Sequence, residues 1–340
     1  MPQSIYTQKT VRELREKAEV KRNFLRALFF NGSSKSDTEI IYLELEKGGE
    51  YVAPLVTPLE SGRLLPNKTR KTNQIVAPNV APKYTVVPKD YFTRPVGGQL
   101  SGGEDPKKLA AKRLGKILRE QENTIVNREE LMVAQFLTTG KVTAIDGDAG
   151  YEVDYELENI ETLPLEQQWD KDGIDPLGSV DNLVANAEKN GVKVENIVMG
   201  RTAAKHFIEK LHNTKKLSKD LQSEVVKKMV RENPGVTWLG TYTTYGIEIY
   251  RYDRNLRGPK NELVELIAPN VIAGGPSGGE IIYAPIIYMG GEKGAEVHIT
   301  ERYSGINNPT TKTKEITTES RPVLQPVELS GYFAATVCAK

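Results

Sequence analysis

Seven of the nineteen prolines fall between residues 51 and 95, and they limit what this stretch can form more than any other feature of the sequence. Each proline removes a backbone N–H donor and fixes φ, so the stretch cannot supply a central strand of a sheet. The residues between the prolines are rich in Val, Leu, Ile and Tyr, which argues against the alternative of a disordered basic linker. The pattern predicts a long extended arm, and we expect a neighbouring molecule to provide the surface it lies on.

The arm has a recognisable internal order. Alternation of Ile41, Leu43 and Leu45 with polar residues predicts a half-buried strand, which ends at Gly48-Gly49. Residues 51–65 and 74–87 are predicted to be two extended limbs joined by a polar turn over residues 66–73. An isolated hairpin is only marginally stable in water, so the arm should bury side chains against another subunit. The candidates for that inter-subunit contact are Tyr51, Leu55, Leu64, Arg70, Lys71 and Val76.

A single long helix is predicted directly after the arm, over residues 105–139. Asp105 is a favourable N-cap, Pro106 occupies the first helical position, and Gly140 follows as a C′ residue. At 1.5 Å per residue such a helix would be about 50 Å long, well above the usual length in globular proteins. Residues 107–119 carry six positive charges and no negative ones, which indicates either a solvated face or a surface that meets acidic neighbours or DNA.

The N-terminal segment predicts another helix. Thr10 and Glu13 have the spacing of a capping box, and an apolar stripe runs from Val11 to Leu28 before Asn31-Gly32 ends the helix. A packed amphipathic helix is the simpler interpretation, and a partner-binding arm is the alternative.

The remainder of the chain has a mixed α/β pattern. Extended runs are predicted at 142–145 with 151–155, at 196–199, at 241–245 with 247–252, at 280–289, and in two pieces over 323–337. Helices are predicted after Asp175-Pro176, at 202–211 and at 217–231. Pro285 suggests that the 280–289 strand lies at a sheet edge.

No motif in the sequence predicts catalysis, a cofactor site or a metal site. Gly275-Pro-Ser277-Gly-Gly279 matches the nucleophile elbow of serine hydrolases, but a strand pattern follows it where the elbow requires a helix. A hydrolase using Ser277 therefore stays only as a contrasting class. Residues 170–175 match part of a calcium loop but lack its closing Glu, so a turn is expected. The protein is expected not to be an enzyme.

Composition narrows the cellular setting. The net charge of +1 predicts no general affinity for nucleic acid or membranes, and no apolar window is long enough for a membrane span. Cys338 is the only cysteine, which excludes an intrachain disulfide and fits a reducing compartment. We therefore expect a protein that is cytosolic when made.

Eight motifs occur along the chain in a characteristic order and spacing: Phe24-Leu-Arg-Ala-Leu-Phe-Phe30, Tyr51-Val-Ala-Pro-Leu-Val56 with Ser61-Gly62, Val80-Ala-Pro-Lys-Tyr-Thr-Val86, residues 129–137 with Gly140-Lys141, Trp169, Asp175-Pro176, residues 320–324 and residues 333–337. In that order and spacing they resemble the major capsid proteins of the phage lambda type, the major capsid protein E family. The resemblance covers nearly the whole chain and loosens across about residues 215–317.

The resemblance implies an α+β, HK97-like capsid fold with four parts. These are an N-terminal arm (1–38), an extended E-loop hairpin (39–98), a peripheral domain with a spine helix near 105–139 (99–159 and 309–340), and a mixed α/β axial domain (160–308). It also implies a major capsid protein of a tailed double-stranded DNA phage that self-assembles into the pentamers and hexamers of an icosahedral shell. The rival within this fold is an encapsulin-type protein compartment.

The same resemblance implies the partners and the location. The implied partners are further copies of the chain, scaffold, portal and decoration proteins, and packaged double-stranded DNA bound without sequence specificity, with no membrane. The protein would belong to the virion after assembly in the host cytoplasm.

Overall fold

The computed structural model has an α+β fold. It describes residues 7–16, 23–47, 69–87, 106–143, 151–189, 191–211, 217–218, 224–258, 260–291, 294–310 and 313–339. The helices in these ranges are α1 (Gln8–Glu16), α2 (Phe24–Phe29), α3 (Pro106–Thr139), α4 (Pro176–Glu188), α5 (Arg201–Leu211) and α6 (Glu224–Glu232).

The strands in the same ranges are β1 (Gly32–Lys35), β2 (Ile40–Lys47), β3 (Thr69–Val76), β4 (Lys83–Val86), β5 (Lys141–Thr143), β6 (Glu152–Asp154), β7 (Ile160–Thr162), β8 (Asn196–Met199), β9 (Leu217–Ser218), β10 (Val236–Tyr242), β11 (Ile247–Tyr252), β12 (Asn255–Arg257), β13 (Leu263–Glu265), β14 (Val271–Gly275), β15 (Glu280–Tyr283), β16 (Ile286–Gly291), β17 (Gly294–His298), β18 (Tyr303–Thr310), β19 (Thr313–Glu319), β20 (Pro322–Gln325) and β21 (Phe333–Thr336). Short 3₁₀ turns cover Leu165–Gln167 and Leu329–Gly331.

Helix α3 confirms the predicted long helix and links two separate cores. Its 34 residues span about 51 Å at 1.5 Å per residue. The first half packs Leu114 and Ile117 against Val11 of α1 and Ile316 of β19. The second half enters the main core, where Phe136 makes edge-to-face contacts with aromatic rings from three other segments, Phe30, Tyr155 and Tyr332. Gly140 ends the helix at φ +68 and donates its N–H to Phe136 O at 2.9 Å, as the sequence predicts for a C′ glycine.

A seven-stranded sheet forms the largest layer, in the order β7-β21-β14-β8-β11-β10-β9. Helices α4 and α5 cover one face, with Val184 and Phe207 packed against Ile197 and Ile249. The other face packs on α2 and α3, and Phe24 lies 5.1 Å from Tyr250 between ring centroids. A smaller sheet, β1-β15-β20, and a three-stranded sheet, β18-β19-β4, lie along α3.

The last strand crosses the expected domain boundary at residue 308/309. β21 pairs parallel with β7 and antiparallel with β14, so it lies inside the sheet built from residues 160–275. Strand β19 pairs with β4 and with β18, which itself spans residues 303–310. Hydrogen bonding thus joins residues from both sides of the boundary that the resemblance implied.

The N-terminal helix prediction was wrong in its start and its continuity. Thr7, not Thr10, caps α1, because its Oγ1 accepts the N–H of Thr10 at 3.2 Å. Asn23 has an extended backbone (φ −78, ψ 174), so one helix cannot run from Thr10 to Phe30. The apolar stripe is shared by two short helices that enter different cores.

Two other local predictions were also wrong. Residues 217–218 form β9 at the edge of the large sheet, so the predicted helix over 217–231 is wrong there, and helix α6 covers Glu224–Glu232. Pro285 does not mark an edge strand: it separates β15 from β16, and β15 lies centrally between β1 and β20. The missing N–H of Pro285 falls where the chain leaves one sheet for another, so no ladder position is lost.

Candidate functional site

The described part of the proline-rich arm consists of the hairpin formed by β2 and β3 and of the following residues up to 87, whose strand β4 pairs with β19. Strands β2 and β3 are antiparallel, with Ile40 opposite Val76 and Lys47 opposite Thr69. Residues 69–73 therefore belong to a strand, and the polar turn predicted over 66–73 is wrong there. The predicted limb at 51–65 lies outside the described residues, and the partner of β3 is β2.

The two faces of this hairpin have different environments. Ile41, Leu43 and Ile75 are buried in the main core of the same chain. Ile40, Tyr42 and Val76 are 39%, 54% and 58% exposed on the other face. The expectation that the chain offers the arm little surface is therefore wrong for the base of the hairpin. Period-two alternation places one apolar set on the core and leaves a second set facing outward.

The predicted contact residues divide into three groups. Val76 is exposed, as a residue that meets a partner must be in the isolated subunit. Arg70 and Lys71 lie on β3, opposite Glu46 and Leu45 in the strand register. Tyr51, Leu55 and Leu64 lie outside the described residues.

A chain of buried charges fixes the N-terminal helices onto α3. Arg26 of α2 contacts Glu129 at 2.6 Å, and Glu129 also receives Nη2 of Arg302 at 2.8 Å. Arg302 also contacts Glu122 at 3.4 Å, and Glu122 pairs with Arg15 of α1 at 2.5 Å. All five side chains are nearly or fully buried, so each depends on its neighbours for compensation of its charge. The alternation of positive and negative groups ties α1, α2 and the start of β18 to one helix.

The fully buried Glu130 acts as a cap for α2. Its carboxylate accepts the backbone N–H groups of Leu25 at 2.9 Å and Arg26 at 3.1 Å, and the hydroxyl of Tyr252 at 2.7 Å. The local N-cap, Asn23, makes no side-chain capping bond. Burial raises the pKa of Glu130 above its ordinary value. A carboxylate on another helix thus supplies the anion that the first turn of α2 needs.

Sequence reasoning did not identify this network. The available signal was the position of Glu129, which lies four residues after Ile125 and three before Met132 and so falls on the apolar face of α3. Gln121 was missed in the same way: it donates to Ile316 O at 2.7 Å and Pro82 O at 3.0 Å and accepts from Thr318. These bonds hold β4 and β19 against the helix.

The glycine-rich motif around Ser277 is a packed turn between strands. β14 leads into it and β15 follows, which is not the strand-to-helix layout of a nucleophile elbow. Ser277 donates both its N–H and its Oγ–H to the carboxylate of Glu195. A Cβ on Gly279 would lie 2.8 Å from the Phe30 ring, so close packing explains that glycine.

Within the described ranges, no three His, Cys, Asp or Glu side chains come together in a way that could hold a metal ion. No helix in the part of the chain that the structure describes has the length and apolar character needed to cross a bilayer.

Known proteins resemble this chain in both sequence and fold. The profile of the family described as phage major capsid protein E matches residues 9–325. The major capsid protein of Escherichia phage lambda is 29% identical over 177 residues, which is 48% of this chain and 50% of that protein. A P21 prophage-derived major head protein of Escherichia coli O6:H1 is 30% identical over 167 residues, covering 45% of this chain and 47% of the relative.

The crystal structure of the putative capsid protein of a prophage from E. coli CFT073 has a TM-score of 0.71 to this chain. The two are 17% identical, and the match covers 97% of this chain and 99% of the other. This likeness confirms the α+β, HK97-like fold class. The sequence match to the curated relatives spans about half of their length.

Proposed function

Because the chain belongs to the phage major capsid protein E family, we propose that it is the major capsid protein of a tailed double-stranded DNA phage. Its copies assemble into the pentamers and hexamers of an icosahedral shell that encloses the genome. The observation that carries the proposal is the family match across residues 9–325, supported by a fold shared with a prophage capsid protein over almost its full length. An encapsulin compartment is the weaker alternative, since the two curated relatives described above are phage or prophage head proteins.

The hairpin β2–β3 and the residues 48–68 between its strands form the proposed contact arm. The inner face of the hairpin already packs on its own subunit, while Ile40, Tyr42 and Val76 offer exposed apolar area that a neighbouring subunit can cover. Tyr51, Leu55, Leu64, Arg70 and Lys71 complete the proposed contact. At about 25 cal/mol per Å², a few hundred Å² of such area contributes several kcal/mol before ordering costs.

The domain assignment follows from the same proposal with one change. Residues 1–38 form the N-terminal arm, 39–98 the E-loop, and 99–159 with 309–332 and 337–340 the peripheral domain. Residues 160–308 form the axial domain, to which we add β21 because it pairs with β7 and β14. We assign the protein no catalytic activity.

The remaining partners and locations belong to the proposal too. Scaffold, portal and decoration proteins would meet the shell, and DNA would be packaged without sequence specificity. Assembly would take place in the host cytoplasm, and the mature protein would reside in the virion.

Replacing residues 48–68 by Asn-Gly tests the function of the arm. Lys47 and Thr69 are paired in register, so a two-residue turn can close the hairpin without disturbing its buried face. We expect folded subunits with an unchanged melting temperature that form no shells by negative-stain microscopy. Normal shells from this variant would contradict the role of the arm.

A point variant gives a finer test of the outward face. Val76→Thr keeps a β-branched side chain at an exposed position, so we expect the subunit to melt as the wild type does but to give fewer shells. Val327→Thr, at 53% exposure outside the hairpin, is the matched control and should assemble normally. Equal shell yields from the two variants would show that Val76 is not part of the inter-subunit contact.

A further inference from the structure

We infer that Arg321 is a positioning residue that sets the orientation of the β2–β3 hairpin relative to the body of the subunit. Its guanidinium joins three segments. Nη2 donates to Glu39 Oε1 at 2.7 Å and to Ala77 O at 3.0 Å, and Nη1 donates to Pro285 O at 3.1 Å. Glu39 immediately precedes β2, Ala77 immediately follows β3, and Pro285 separates β15 from β16. One planar group therefore connects both strands, at the base of the hairpin, to the junction of two sheets.

The backbone of Arg321 is fixed independently of its side chain. Its carbonyl accepts the N–H of Ala284 at 3.0 Å. The preceding residue, Ser320, exchanges two backbone hydrogen bonds with Val80, at 2.8 and 3.0 Å. The backbone that carries the guanidinium is thus fixed to the sheet, so the hydrogen bonds of the guanidinium hold the hairpin at a set position relative to that sheet.

The apolar contacts of the hairpin cannot replace this function. Ile41, Leu43 and Ile75 bury the inner face, but burial of apolar area is non-directional and tolerates a range of angles. Hydrogen bonds weaken steeply when distance or angle changes. The apolar face therefore keeps the hairpin on the core, and Arg321 selects the angle at which it leaves.

The geometry requires an arginine at this position. The two terminal nitrogens of the rigid guanidinium donate to acceptors in different segments, Nη1 to Pro285 and Nη2 to Glu39 and Ala77. Residue 321 is only 8% exposed. A lysine carries the same charge on a single nitrogen, so it cannot serve Pro285 O and the Glu39–Ala77 pair together. A simple ion pair with Glu39 would tolerate lysine, whereas a clamp of three acceptors would not.

The consequence for assembly rests on the proposed function. A hairpin that reaches a neighbouring subunit must leave its own subunit at a defined angle, because a small rotation at the base displaces the far end by a larger distance. Loss of the clamp should then lower the yield of regular shells while leaving the fold of the subunit intact.

The test measures hairpin orientation in unassembled full-length subunits. Spin labels on Tyr42→Cys and Asn123→Cys, in a Cys338→Ala background, report the distance between the exposed face of β2 and α3 by double electron–electron resonance. We expect one narrow distance in the otherwise unchanged protein and loss of that single distance in both Arg321→Gln and Arg321→Lys. Glu39→Gln, which changes a half-exposed side chain, should broaden the distance without lowering the melting temperature.

The matched control is Lys83→Gln, which breaks an exposed pair at 3.2 Å between β4 and β19 and should leave the distance narrow. A narrow distance in Arg321→Lys would overturn the clamp in favour of a plain ion pair. A narrow distance in Arg321→Gln would overturn the inference altogether. If Arg321→Gln does not fold, the distances in Arg321→Lys and Glu39→Gln still decide whether Arg321 sets the orientation of the hairpin.

Electron microscopy of the Arg321→Lys and Lys83→Gln variants, made without the cysteine substitutions because Tyr42 lies on the proposed contact face, separates this inference from the proposed function. Irregular or absent shells from Arg321→Lys, with normal shells from Lys83→Gln, would support the assembly role. Broad distances with normal shells would overturn that role but not the clamp. Failure of the unchanged protein to form shells would count against the proposed function alone.

Discussion

Removing the charge of Glu129 should destabilise the subunit more than any exposed substitution. Glu129 is fully buried and holds Arg26 at 2.6 Å, Arg302 at 2.8 Å and the hydroxyl of Tyr283 at 2.9 Å. In Glu129→Gln both guanidinium groups stay buried without their shared counter-ion. Loss of one partner from a buried ion pair costs about 3–5 kcal/mol, and we expect a loss of unfolding free energy in that range.

The measurement is urea unfolding of unassembled subunits followed by tryptophan fluorescence, which is suitable because Trp169 is fully buried. Glu120→Gln is the control on the same helix. Glu120 is exposed and lies 3.7 Å from Lys116, so its loss should cost no more than about 0.5 kcal/mol.

A second variant tests the cause of the loss. In Arg26→Met combined with Glu129→Leu, the cation that lies 2.6 Å from Glu129 is removed together with its counter-ion, so the double variant should be more stable than the sum of the single changes predicts. The reasoning would be refuted if Glu129→Gln cost less than about 1 kcal/mol, or no more than Glu120→Gln.

Two further predictions concern glycine and pH. Gly140→Ala should destabilise by about 1 kcal/mol or more, because φ is +68 and the new Cβ would lie 3.1 Å from Leu157, whereas Gly115→Ala should stabilise by about 0.5–1 kcal/mol in an open helical position. Urea unfolding of the pair checks both signs, and destabilisation by Gly115→Ala would contradict the second. Burial raises the pKa of Glu130, so the folded protein keeps this proton at pH values where the unfolded chain has lost it. The contribution of Glu130 to stability should therefore fall as pH rises from 4.5 through the raised pKa. The difference in unfolding free energy between wild type and Glu130→Gln should change with pH over that window. A difference that does not change with pH would contradict this prediction.

The sequence predicted elements whose signals are local. The helix α3 follows from Pro106, a long apolar stripe and Gly140, and the structure places its ends within a residue of the prediction. Asp175 caps α4 through the N–H of Leu177 at 3.0 Å, as its position before Pro176 predicted. Caps, prolines and glycines act within a few residues, so one stretch of sequence contains all the information they need.

Pairing between distant segments could not be read in this way. The partner of β3 is β2, β21 lies between β7 and β14, and Glu130 caps a helix more than one hundred residues earlier. Alternation of apolar residues indicates that a strand has a buried face, but it does not indicate which segment covers that face. The described residues of the arm were therefore correctly predicted to be largely extended, and wrongly predicted to lack a surface within their own chain.

The sequence by itself determined the long helix, the extended strands β3 and β4 of the proline-rich arm and, through collinear motifs, the capsid family. Only the tertiary structure decided that the arm is anchored at its base, that three arginines from other segments are buried against two carboxylates of α3, and that Arg321 joins both strands at the base of the hairpin to the sheet junction. The physical reason is that backbone preference and apolar periodicity are properties of neighbouring residues. Compensation of a buried charge, by contrast, depends on which distant groups the fold brings within hydrogen-bonding distance.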